Sequence, residues 1–531
     1  MILYSGPEKP VGSPGWIWII LVLVISLTLV SCSPSPEPGS DPAALIVALP
    51  RGPLNLDPRL SVDAASYQIM QLTYNSLVNK SPSSRLLPDL AEKWSQPDDR
   101  TYIFDLRRGV TWHDGSPFTS QDVAYTFRSI LDPKTKSPKR QGLGLIQTIE
   151  TPDPHRVIFR LKEVFSPFLI NLVLGIVPQS VETREGTNFG FHPVGTGPFK
   201  FQSWEEGRQI TLVKNTAYFG SPAKLSRLVF RIVPDDTTRL LEFKKGSIDF
   251  MQNAAQPDMV PLLKADPRFQ VIQSPGTNYS YIGFNLIDPI LKNRQVREAL
   301  AHAIDVRAMI KFLLRDAAQP ASGVLPPSNW AYEPEVPVYL FDPKKAARLL
   351  DEAGYPDRGD GQGRFKLTYK TSDNDMARLK AEIIQQQLAD VGIKMDIRTY
   401  DWGTFFGDIR NGNFQMFSLE WVGVTDPDVF YYIFHSASFP PNGANRGHYA
   451  NPEVDALIDQ GRRTLDEAKA KAIYSRLQKI LAYDLPYISL WYVDNVALAK
   501  KGVQGFVQYP AGDLYSLRDV YRTDGAPPAN P

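Results

Sequence analysis

One apolar run stands apart from the rest of the chain, Trp16 to Val30 (WIWIILVLVISLTLV), and the only cysteine, Cys32, comes two residues after it. The run is shorter than the roughly 20 residues that cross a bilayer, but it fits the hydrophobic region of an export signal. The chain beyond it is therefore expected outside the cytoplasm, and with a single Cys it has no intrachain disulfide. Such a fold must rest on core burial. The length permits this: 531 residues exceed the roughly 250 to 300 at which a single core stops growing, so two or more domains are expected.

Leu29-Val30-Ser31-Cys32 resembles the lipobox of bacterial lipoproteins. That resemblance implies a signal peptide over residues 1–31, a lipidated Cys32 as mature N-terminus, and a stiff polar tether over 32–43; an uncleaved N-terminal anchor is the alternative. Either way the chain attaches to a membrane. Charge argues against nucleic acid as a partner, because 58 Lys and Arg balance 57 Asp and Glu and are interspersed along the chain.

Beyond the tether, period-two alternation predicts strands at Thr101 to Leu106, Arg156 to Leu161, Arg208 to Lys214, Arg227 to Val233 and Ile393 to Thr399. Val110 to Trp112 reads as the start of another strand. Helical spacing marks Tyr67 to Leu77, Asn293 to Leu314 and Met376 to Val391, the last stopped by Gly392 and leading directly into a strand. Thr119 with Asp122 forms a capping box ahead of Val123, and Thr464 with Glu467 reads as the cap of Leu465 to Tyr483. The fold class is α/β with a β-rich first half.

Catalytic signatures are missing. There is no nucleophile elbow, no zinc-protease helix, and no phosphate or dinucleotide loop. The six histidines are scattered, and the stretch Asp357 to Gly363 does not follow the order of a calcium loop. No cofactor, metal or catalytic residue is assigned.

Several blocks together resemble the extracellular solute-binding proteins of family 5, the receptors of ABC importers. They are Leu87 to Trp94, RRGVTWHDGSPFTSQD from Arg107 to Asp122, Pro193 to Phe199, Lys214-Asn215 with Tyr218, Tyr281 to Asn285, Gln295 to Leu300, and Asp342 to Gly354. The resemblance implies a bilobed periplasmic-binding-protein fold of the large peptide-receptor type, with a two-strand hinge. The first lobe is placed at 44–77, 191–284 and 490–531, its β-rich inserted subdomain at 78–190, and the second lobe at 285–489. Chain crossings are expected near Phe284-Asn285 and between Tyr487 and Trp491.

It also implies a monomeric receptor that encloses a peptide or peptide-like solute by hinge closure and delivers it to membrane permease subunits, without catalysis. The alternatives are a nickel chelate, a glutathione-like compound or a saccharide as ligand, a signalling or chaperone role, and, more remotely, a secreted hydrolase. Trp402 and Trp421 match two family segments that border ligand side chains, and Trp491 and Tyr492 align with a further aromatic stretch. The family commonly has an Asp three residues after the second Trp, where this chain has Val424, so either Asp426 or Asp428 on a shifted loop is the candidate partner for a ligand amine, with Asp426 first, or the ligand has no terminal amine. Arg446 is the candidate for a ligand carboxylate. Tyr67 is a candidate on the first helix.

Overall fold

The computed structural model describes residues 43–83, 85–180 and 186–523; the apolar run and Cys32 lie outside them. No described helix is long and apolar enough to cross a membrane.

Two long antiparallel strands, Phe269–Phe284 and Tyr487–Lys500, pair from Phe269 opposite Lys500 to Gly283 opposite Tyr487 and form the spine of an 11-stranded sheet. The lower half of this ribbon continues through Phe250–Gln252 into Ala44–Leu49, Arg227–Ile232, Gln209–Lys214 and Phe199–Glu205. The upper half continues through Met416–Trp421 into Phe365–Ser372 and Ile393–Tyr400. Each half is sheathed by helices over separate cores, so the molecule has two lobes that share one ribbon.

Ala44–Leu49 shows why the first lobe needs a nearly unbroken apolar strand. It is parallel to both of its neighbours, Arg227–Ile232 and Phe250–Gln252, and buries Leu45, Val47 and Leu49 on one face and Ala48 on the other. In the second lobe the step from helix Asp375–Ala389 through Gly392, at φ 82°, into strand Ile393–Tyr400 is a crossover onto the parallel strand Phe365–Ser372.

A four-stranded antiparallel sheet, ordered Ala91–Asp98, Thr101–Leu106, Arg156–Leu161 and Ile146–Asp153, packs on helix Ser120–Leu131 around its own core of Phe104, Phe127, Phe159 and Phe168. The capping box is present: the Thr119 N–H donates to Asp122 Oδ2 at 2.8 Å and Thr119 Oγ1 accepts from Gln121 N at 3.3 Å. Two of the sequence blocks meet here. His113 Nδ1 accepts from Gly195 N at 3.2 Å, and its Nε2–H donates to the Gly197 carbonyl at 3.1 Å. Burial keeps this imidazole neutral by lowering its pKa to about 4, and the two bonds determine its tautomer. A Cβ on Gly195 would lie 1.9 Å from the Thr73 carbonyl oxygen, so this loop closes against the end of helix Ala64–Thr73 only with glycine there.

Four local expectations differ from the structure. The helical pattern of Tyr67 to Leu77 ends at Thr73, because Tyr74 is extended and its N–H caps the helix by donating to the Met70 carbonyl. Asn293 to Leu314 is two helices, Arg294–Ala303 and Val306–Leu313, because Ile304 is extended and Asp305 caps the second by accepting from Ala308 N at 2.9 Å. Val110 to Trp112 contributes only an isolated bridge between Thr111 and Pro117, since Gly115 at φ 90° turns the chain at once. The last long helix is Glu467–Asp484, capped by Asp466, which accepts from Lys469 N; the Thr464 hydroxyl donates instead to the Gln460 carbonyl.

The passage between lobes is marked by a break in register. Pro275, Gly276 and Thr277 face the single residue Asp494, between the pairs Ser274 with Asn495 and Asn278 with Val493. A Cβ on Gly276 would sit 2.2 Å from the Val493 carbonyl oxygen, so the bulge closes only around glycine. Gly276→Ala should therefore lower stability by about 1 to 3 kcal/mol in urea unfolding. Gly323→Ala, which enters open space, should stay within about 0.5 kcal/mol of wild type.

Candidate functional site: the cleft between the lobes

A cavity of about 700 Å³ lies between the lobes. Helix Ala64–Thr73 forms one wall. Its cap Asp63 accepts from Ser66 N at 2.8 Å, and this start directs Tyr67, Gln68 and Gln71 into the cavity. Gln71 fastens the loop from Tyr509 to Asp513 beside it: Nε2 donates to Asp513 Oδ1 at 2.6 Å, and Oε1 accepts from Leu514 N at 2.9 Å. Tyr67 keeps a ring edge exposed, while its hydroxyl end is buried near Lys80 and Asp513, and that burial raises its pKa. The inserted subdomain supplies a second wall, including Lys139, Leu143 and Val173, and Val422 and Gly423 close the cavity from the second lobe.

Trp421 stands at the cleft end of strand Met416–Trp421. Opposite it, Asp401 caps helix Trp402–Arg410 by accepting from Thr404 N, and one helical turn brings Phe406 under Trp402. The rings of Trp402 and Phe406 stack at 5.5 Å and 11°. The Arg446 guanidinium lies between Phe406 and Trp421, 5.3 and 5.1 Å from the two ring centroids. Trp421 in turn stacks on Tyr281 at 6.2 Å and 6°, and Tyr281 on Tyr487 at 4.1 Å. Three sequence candidates, Trp402, Trp421 and Arg446, thus form one ladder. Phe406 belongs to it too, and sequence reasoning missed it although it lies four residues from Trp402 on the same helix face.

Arg446 is only 9% exposed, and its one polar contact among the described residues is the Tyr281 hydroxyl at 3.5 Å. No described carboxylate lies within ion-pairing distance of it. Ring faces offset part of the cost of enclosing a cation, but a buried charge normally requires a counter-ion.

A complementary group sits on the next turn of chain. Asp426 lines a small cavity of about 210 Å³ with Trp421 and Val424. Its Oδ1 accepts from Asp428 N at 2.8 Å, and it has no cation partner among the described residues. Burial, reinforced by the charge of Asp428, raises its pKa to about 7. Val424 is 5% exposed in the lobe core, and its N–H donates to the Thr277 carbonyl at 3.2 Å, which ties this segment to the hinge bulge.

Trp491 and Tyr492 do not reach the cleft. A second bulge, at Leu490 between the pairs Ser280 with Trp491 and Tyr281 with Ser489, places Leu490 and Trp491 in the same core. Tyr492 fills the core on the other face, where its hydroxyl meets the carbonyls of Gly323 at 2.6 Å and Leu325 at 2.7 Å.

The lobes also touch away from the hinge. Ser166 N–H donates to the Arg462 carbonyl at 2.7 Å, Arg463 pairs with Glu163 at 3.2 Å, and Gln141 Nε2 donates to the Asn442 carbonyl at 3.1 Å. The Arg462 guanidinium, paired with Asp428 at 2.7 Å, lies over Tyr431 of its own lobe and over Phe165 of the inserted subdomain. These contacts bridge the lobes away from the ribbon. Among the described residues no group of His, Cys, Asp and Glu could hold a metal ion.

The chain matches the model of the bacterial extracellular solute-binding proteins, family 5 Middle, over residues 85–442. It is 29% identical to the dipeptide-binding protein of Escherichia coli (strain K12), across 87% of this chain and 91% of that protein. Among solved structures, it resembles the periplasmic binding protein DppA of Helicobacter pylori in complex with peptide STSA, with a TM-score of 0.78, 29% identity, and coverage of 90% of this chain and 98% of that one. It resembles NikZ of Campylobacter jejuni in complex with Ni(L-His) with a TM-score of 0.80, 26% identity, and coverage of 91% and 100%.

If Arg446 is an uncompensated buried charge, replacing it by an apolar side chain of similar length should not destabilise the ligand-free protein as loss of an ordinary ion-pair partner would. Arg446→Met should leave the unfolding midpoint of ligand-stripped protein unchanged or raised, measured by calorimetry. A loss of about 3 kcal/mol or more would show instead that the guanidinium is a structural tie.

Proposed function

Because the chain belongs to the bacterial extracellular solute-binding proteins of family 5, we propose that it is the receptor of an ABC importer, capturing peptides or peptide-like solutes between its lobes and delivering them to membrane permease subunits. Its family members are extracellular or periplasmic solute-binding proteins. One observation carries the peptide reading. A buried guanidinium without a counter-ion, Arg446, and a half-buried carboxylate without a cation, Asp426, flank the Trp421 segment among the described residues, and a zwitterionic main chain offers the matching charges. In this reading Arg446 holds the ligand carboxylate, Asp426 holds the ammonium in place of the family's Asp at Val424, and Trp421 and Trp402 cover apolar side chains with rigid indoles.

The mechanism derives from the ribbon. In this reading the lobes follow the division expected from sequence (44–77, 191–284 and 490–531 in one, 285–489 in the other, 78–190 inserted), except that the crossings shift to Pro275–Thr277 and Asp494, so that Asn278 to Phe284 and Leu490 to Val493 go with the second lobe. Closure turns them about the bulge at Pro275 to Thr277 until Arg462 meets Phe165. Ligand bound to both walls favours the closed state by its differential contacts with it. The protein acts by binding and docking, without turnover, as a monomer tethered through a lipid on Cys32.

Recovery of the bound solute from freshly purified protein by native mass spectrometry tests the reading. An intact peptide of about two to five residues is expected; a sugar or a metal chelate in its place would move the assignment to another solute, and cleaved peptide would contradict binding without turnover. Asp426→Asn should weaken a free-amine peptide more than its N-acetylated form. The pH effect has a definite sign. Asp426 is protonated below about 7 and a peptide α-ammonium loses its proton near 8, so affinity for free-amine peptides should rise through pH 7 and fall above about 8. Isothermal titration from about pH 6 to 9 should show this maximum in wild type and lose its acidic limb in Asp426→Asn.

A further inference from the structure

Most charges on the cavity wall are answered within the protein. Lys80 lies 3.9 Å from Asp513, and Asp63 is occupied as a helix cap, accepting from both Ser66 N and Ser66 Oγ. Lys139 is different. It lines the same 700 Å³ cavity from the inserted subdomain, beside Leu143, Ile170 and Val173. Its backbone N–H bonds to Ser137 Oγ at 3.2 Å, but among the described residues no carboxylate lies within 4 Å of its ammonium and no acceptor bonds to it. Lys139 is half-buried, and desolvation alone lowers its pKa.

Position separates Lys139 from the groups assigned to the ligand's main chain. Arg446, Asp426 and Trp421 belong to the second lobe, whereas Lys139 stands across the cleft on the inserted subdomain. Two residues further on, Gln141 Nε2 donates to the Asn442 carbonyl of the second lobe, so the turn bearing Lys139 is fixed once the lobes meet.

We propose that Lys139 is a specificity residue that pairs with an anionic group of the ligand other than its main-chain carboxylate, so that the cleft selects acidic peptides or peptide-like solutes carrying an additional carboxylate. This rests on the peptide reading. Selection acts twice. A carboxylate opposite Lys139 forms a charge-assisted hydrogen bond, whereas a neutral ligand closes the cleft over an ammonium that has lost water and gained nothing. The second effect is a penalty against the wrong ligand rather than an attraction for the right one.

The test uses ligand-stripped full-length protein and two tripeptides, Ala-Glu-Ala and Ala-Gln-Ala, which differ only in carboxylate against carboxamide. Calorimetric titration of wild type should favour the acidic peptide by about tenfold or more. Lys139→Gln should reduce that ratio to within about threefold, Lys139→Arg should retain it, and Lys139→Met serves as the neutral variant should the glutamine protein melt early. Equal affinity of wild type for both peptides overturns the assignment of Lys139 alone, as does a variant that weakens both peptides by the same factor. Failure of wild type to bind either peptide, with a non-peptide solute recovered from it, overturns the peptide reading and this proposal together.

Discussion

The hydrogen-bonded ribbon of Phe269–Phe284 and Tyr487–Lys500 is the constraint on which everything else depends. Each lobe extends its sheet from one half of the ribbon, so neither can be moved without bending the same two strands. A continuous ladder would resist that bend. The bulge at Pro275 to Thr277 interrupts it where the lobes separate, leaving one residue on the partner strand, Asp494, against three. The interruption is tied to the cleft on both sides. The Thr277 N–H and Asn495 Nδ2 donate to the Pro510 carbonyl in the loop lining the first-lobe wall, and Thr277's own carbonyl receives the N–H of Val424 in the second.

Within that mechanical frame, the proposed site gathers charges that the protein leaves unanswered. Most buried ionic groups in this molecule are compensated: Arg59 pairs with Asp57 at 2.7 Å, Lys500 with Asp249 at 2.6 Å, and Arg297 is surrounded by backbone carbonyls. Among the described residues Arg446 and the half-buried Asp426 and Lys139 have no ion-pair partner, as does Lys380, which bonds only the Ser418 hydroxyl; the first three border the cleft or the segment that closes it. An enclosed charge without a partner costs stability, and a binding protein recovers that cost when ligand supplies the partner. The aromatic ladder reduces the cost in the meantime, because the faces of Phe406 and Trp421 solvate the guanidinium weakly from both sides.

Arg462 shows how the chemistry and the closure meet. Its guanidinium answers Asp428, whose N–H in turn bonds to Asp426, and the same group lies against Phe165 across the mouth of the cleft. The carboxylate assigned to ligand and the contact that holds the lobes together thus share one short loop, which gives ligand occupancy a direct physical connection to the closed state.

Local signals by themselves determined most elements: the alternation at Thr101–Leu106 and Arg156–Leu161, the Thr119 capping box, and the helix–Gly392–strand crossover all depend on contacts within a few residues. The family blocks carried the two-lobed architecture, and Trp402, Trp421, Arg446 and Asp426 are candidates because their types and order are visible in the chain. Where local reading failed, a competing cap or bulge decided. Asp305 divided one helical pattern into two, and the bulge at Leu490 reversed the facing of Trp491, a change of parity that no period-two count reveals. Only the tertiary structure decided which charges lack partners. Lys139 and Lys80 look alike in sequence, and the difference between them is a carboxylate, Asp513, brought from the far end of the chain to within 3.9 Å of one and not of the other. Pairing of charges is a property of distances between remote segments, and those distances exist only once both lobes have closed on their common ribbon.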